Sequence, residues 1–106
     1  MSWFRRRKPK EANPLIGVWK IDTSDAVSVE ALGDVTIEFD EAGNLNYLIK
    51  SEGKVEAILM TYRVDGATIV SDQPSHPNPQ RTEYALTSDG ALILSFDGEP
   101  CRFLPA

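Results

Sequence analysis

Cysteine and histidine are almost missing from this chain: Cys101 and His76 are the only ones in 106 residues. A lone cysteine forms no intrachain disulfide, so the fold must rest on a hydrophobic core, and the expected location is a reducing one, the cytoplasm. A lone histidine excludes metal sites built on histidine clusters. No run of about 18 apolar residues exists to span a membrane. The charged first residues are not followed by the apolar stretch of a signal peptide. Asn-x-Ser/Thr, Cys-x-x-Cys, Walker-type and Gly-x-Gly-x-x-Gly patterns are all lacking. Long helical periods are missing too, which removes parallel βαβ units. A chain of this length still suffices for one domain that buries about two thirds of its unfolded surface.

Charge is unevenly placed. Arg5, Arg6, Arg7, Lys8 and Lys10 face a single Glu11 in the first 14 residues, whereas the body from Leu15 onward has six basic and fifteen acidic residues. An acidic body excludes nucleic acid as its partner, because phosphate contacts need a basic face. Residues 1–14 read as a flexible basic tail, since like charges repel and Pro9 and Pro14 break helices. The alternative for the tail is a weak membrane-surface contact, with Trp3 and Phe4 at the interface and the basic run on anionic headgroups, each charge worth about 1 kcal/mol.

What is present begins at Leu15-Ile16-Gly17-Val18-Trp19-Lys20-Ile21. It opens a folded domain over residues 15–106. As a strand it sets Leu15, Gly17, Trp19 and Ile21 on one side. Trp19 is then a core anchor, and Gly17 leaves room for a neighbouring backbone. Residues 26–32 fit a short helix, with Ser24 or Asp25 as N-cap and Gly33 as stop. From residue 34 the period becomes two, with Val35, Ile37 and Phe39 on one face and Leu45, Tyr47 and Ile49 on the next strand. Residues 55–64 make a longer strand whose mixed pattern at Ile58-Leu59-Met60 predicts apolar cover on both faces or a bulge. Asp65-Gly66 is a strong hairpin signal. Prolines 74, 77 and 79 make residues 72–80 an irregular loop. Strands then follow over 81–87, around Leu92 to Phe96, and over 101–104. Eight short strands joined by tight turns predict an all-β fold: an eight-stranded antiparallel up-and-down meander closed into a small barrel, with one short helix after strand 1.

A Gly17-Val18-Trp19 strand, a short helix and a seven-strand meander resemble the lipocalins and the wider calycin group. The nearest likeness is to small bacterial lipocalin-like domains, most of which have no assigned function. The resemblance covers residues 15–104 as architecture, without the long C-terminal helix and disulfide of secreted lipocalins. It implies that Trp19 lies at the closed end of the barrel, with the late basic residue Arg102 packed over it. Gly17, Trp19 and Arg102 are accordingly structural.

Three functions compete. In the first, the barrel binds a small apolar or aromatic ligand, with Tyr47, Tyr62, Tyr84 and Phe96 in its wall, and with Ala57 and Thr82 as small inward residues that leave space while Leu59, Leu92 and Leu94 compete for it. In the second, the barrel is filled and serves as a structural or interaction module through the loop 72–80 or the tail. In the third, it is a small lyase or isomerase of the calycin type. Against the third, Arg81 and Glu83 alternate away from Thr82, Tyr84 and Leu86, and Arg63 away from Tyr62. No catalytic or metal-ligating residue is assigned and no cofactor is expected. His76 reads as a loop residue, with haem ligation the alternative that some calycin-like barrels suggest. Cys101 reads as a small buried hydrophobe; a thiol made reactive by Arg102 is the other reading.

Overall fold

The computed structural model describes residues 13–74, 77–96 and 98–106. The expected basic tail through residue 12, with its Trp3 and Phe4 membrane contact, and the expected loop residue His76 lie outside these residues. The chain forms β1 (Gly17–Ile21), α1 (Ala26–Leu32), β2 (Asp34–Phe39), β3 (Asn44–Ser51), β4 (Lys54–Asp65), β5 (Thr68–Asp72), β6 (Gln80–Leu86), β7 (Leu92–Phe96) and β8 (Glu99–Pro105). Each strand pairs antiparallel with the next, and β8 returns to β1, closing the barrel. An all-β meander of eight strands with one short helix is therefore the fold, an architecture compatible with a lipocalin-like one.

The period-two pattern explains the walls. Val35, Ile37 and Phe39 on β2 are buried, and the register sets them opposite Ile49, Tyr47 and Leu45 on β3. With Trp19, Ile21, Leu92, Leu94, Cys101 and Phe103 they make one core. The helix starts after Asp25 and ends where Gly33 takes φ 78°, its N–H donating to the Val29 carbonyl at 2.8 Å. Asp25 does not cap backbone N–H groups; its carboxylate accepts from the Ser28 hydroxyl at 2.6 Å.

Two expectations need correction, on Gly17 and on β4. Gly17 is not there for a close backbone approach: a Cβ at this position would meet nothing within 4 Å. Its φ of 135° is what excludes other residues. Asn13, inside the expected tail, makes two side-chain contacts with the barrel: it donates to the Tyr62 hydroxyl at 3.0 Å and accepts from the Leu15 N–H at 3.2 Å. Finally, β4 has neither a bulge nor cover on both faces. Its register to β3 and then to β5 runs without a break, so Ala57 and Leu59 point outward with Val55, while Ile58, Met60 and Tyr62 point inward. Leu59 is 66% exposed. Ala57 thus creates no interior space, and Leu59 takes none.

Candidate binding mouth of the barrel

The two ends of the barrel differ. At the end that holds the start of β1 and the β2–β3 turn, Tyr62 and Leu15 fill the opening. Tyr62 stacks edge-on against Phe39, with ring centroids 4.9 Å apart. Its hydroxyl donates to the Asp40 carbonyl at 2.8 Å and accepts from Asn13. Trp19 is buried beside Leu15, whose carbonyl accepts from the indole N–H at 2.9 Å. Every polar atom introduced here has a partner, as a sealed end requires.

The other end stays open over the sides formed by β3 to β7. An inner cavity of about 60 Å³ lies between Ile37, Phe39, Leu45, Ile69 and Leu94. It leads outward past Tyr47, Met60, Ser71, Thr82 and Phe96, which also line an outer vestibule of about 290 Å³ closed by Asp72, Gln73, Asn78 and Gln80. One contact shapes that vestibule: the Asp72 carboxylate accepts from the Asn78 N–H at 2.8 Å and holds Asn78 against the end of β5. The site is thus a funnel with an apolar floor and a rim of neutral amides, hydroxyls and one carboxylate.

Two of the four residues expected to form the ligand wall meet in this funnel. Tyr47 and Phe96 line both of its parts. Among the described residues no partner reaches the Tyr47 hydroxyl, and burial, then the Cys101 thiol, pushes its pKa up. It is therefore a neutral donor facing the cavity. Tyr62 lies at the sealed end, and the Tyr84 hydroxyl donates to the Gly66 carbonyl at 3.3 Å in the β4–β5 hairpin, so neither lines the funnel. Thr82 lines it as a small inward residue. Met60 and Ser71 line it as well, and neither was expected in the ligand wall. Met60 was hidden by the ambiguous β4 pattern, and Ser71 by its place at a strand end.

Arg102 is on the outer face of β8, alternating with the buried Cys101 and Phe103. Its guanidinium takes Asp22 at 2.9 Å and Asp89 at 2.8 Å, and its backbone N–H donates to the Ser28 hydroxyl at 2.7 Å. It joins β1, α1, β8 and the β6–β7 turn from outside, rather than packing over the Trp19 ring within. Hydrogen bonds from the Ser24 hydroxyl and N–H, together with Arg102, hold the Asp22 carboxyl below its ordinary range. The Thr87 hydroxyl, then Arg102, lowers Asp89 to about 2. Arg102 does not activate Cys101: burial, then the Glu99 and Asp25 charges, raises the thiol pKa, and the side chain is fully buried. Cys101 is a core residue. Among the described residues no three potential metal ligands come together, and no helix is long and apolar enough to cross a membrane.

No known protein family, curated protein or solved structure matches this chain.

Proposed function

We propose that this is a lipocalin-like binding domain that takes one small molecule at the open mouth of its barrel, apolar or aromatic end first. The observation that carries this reading is the continuous funnel, with an apolar floor and the Tyr47 hydroxyl exposed to it. Its dimensions define the ligand class. Neither the inner cavity of about 60 Å³ nor the half-open vestibule of about 290 Å³ reaches about 300 Å³, the low end for ligand pockets, so no molecule is enclosed whole. The ligand is therefore small, half-enclosed, and carries a neutral hydrogen-bonding head matched to Tyr47, Gln73, Asn78 and Gln80. The Asp72 carboxylate disfavours an anionic head. A filled barrel is the competing reading, and a lyase or isomerase draws least support, because no arginine lines the funnel.

Native mass spectrometry tests the proposal on protein isolated gently from its own cells and on the same protein supplied with phenol or 1-octanol. The expected spectrum has one small molecule per chain, displaced or added by these probes. A bare chain in both samples would overturn it.

A further inference from the structure

We infer that the free edge of β4 is the docking surface for a second copy of this chain, which adds its own β4 edge-to-edge in an antiparallel, two-fold arrangement.

β4 is twelve residues long, but β5 covers only Thr61 to Asp65. Among the described residues Lys54 to Met60 pairs with β3 alone, and no strand takes its other side. The direction of its free backbone groups follows from antiparallel alternation. Tyr62 N–H donates to the Gly43 carbonyl, so even-numbered residues of β4 turn their N–H and C=O toward β3. The odd-numbered Val55, Ala57 and Leu59 turn theirs to the open side. The same three side chains point outward, with Val55 62% and Leu59 66% exposed. An unpaired edge of this kind is normally blunted by charge, proline or a bulge, because it templates pairing with another chain. Here the only charges on it are Lys54 and Glu56.

The edge is its own complement. A two-fold axis through Ala57 places Ala57 against its copy and Val55 against Leu59 of the other chain. This register brings the outward groups of all three residues into about six backbone hydrogen bonds. It also joins the exposed Val55, Ala57 and Leu59 side chains of both chains into one apolar stripe. Lys54 then stands opposite Met60 and Glu56 opposite Ile58, so no like charges are directly opposed. Lys50, Glu52, Lys54 and Glu56 balance one another at this site, although the chain as a whole carries a net charge of −5. The net charge along this edge is therefore near zero, which leaves little repulsion between two copies here. The contact is smaller than a standard interface, so the dimer is weak and concentration-dependent.

Sedimentation velocity on the full chain, from micromolar to near-millimolar concentration, should move the mass from 11.7 kDa toward twice that value. Hydrogen exchange should show the Val55, Ala57 and Leu59 amides gaining protection over the same range. Ala57→Pro removes an N–H that the β3 ladder does not use, so it should keep the barrel and weaken the dimer at least about tenfold. Leu59→Lys, which leaves the backbone untouched, should do the same if the proline strains the strand. A monomer at every concentration overturns the inference, whether the three amides exchange freely or are protected by another part of the same chain. So does a dimer that both variants leave intact.

Discussion

Trp19 and the Arg102 cluster show two ways in which single residues hold this barrel. Trp19→Ala removes a buried indole and its bond to Leu15, and should cost about 3–5 kcal/mol in chemical denaturation, as large-to-small core changes do; a loss below about 1 kcal/mol would contradict its place in the core. Asp89, with a folded pKa of about 2 against an ordinary 3.8, binds fewer protons folded than unfolded between these values. Its contribution is therefore complete above about pH 5 and is lost as pH falls through that window. Asp22 shifts the same way. Wild type and Asp89→Asn should differ in thermal stability at neutral pH, and the difference should shrink to nothing near pH 2. Trp19 was legible in the sequence because period-two alternation fixed its side of the strand. The partners of Arg102 were not, since Asp22 and Asp89 meet it only after closure brings β1, β8 and the β6–β7 turn together.

Among the elements, α1 and most strands follow from local rules: the helix ends where Gly33 supplies a positive φ, and the strands break at polar turns. β4 is the exception. Its apolar residues on both faces predicted cover that the described residues do not provide, and a sequence pattern cannot say whether such cover comes from within or from another molecule. A long-range contact that no local pattern announces is that of Asn13, which bonds to Tyr62, a residue 49 positions away. Asn13→Ala should therefore destabilise the barrel by about 1 kcal/mol, the usual net worth of such a bond. Urea denaturation measures it, and an unchanged midpoint would place the start of the domain later.

At the scale of the whole molecule, eight strands leave an interior that side chains nearly fill. Phe39, Phe103, Ile37 and Leu92 occupy it, and the mouth stays free where β5 ends at Asp72. The sequence announced the barrel through its hairpins and the loop through its prolines. It could not announce that the two would form one funnel, because volume depends on which side chains reach the axis. Tyr47 and Phe96 do so at the mouth, whereas Tyr62 and Tyr84 spend their hydroxyls on backbone carbonyls elsewhere. The most direct test is an amide chemical-shift titration of the full chain with phenol and with 1-octanol, repeated on Thr82→Trp, which fills the funnel. Binding at the mouth predicts saturable shifts at Tyr47, Met60, Ser71 and Phe96 that vanish in the variant while its fold persists. Saturable shifts elsewhere, or none at these residues, would contradict it.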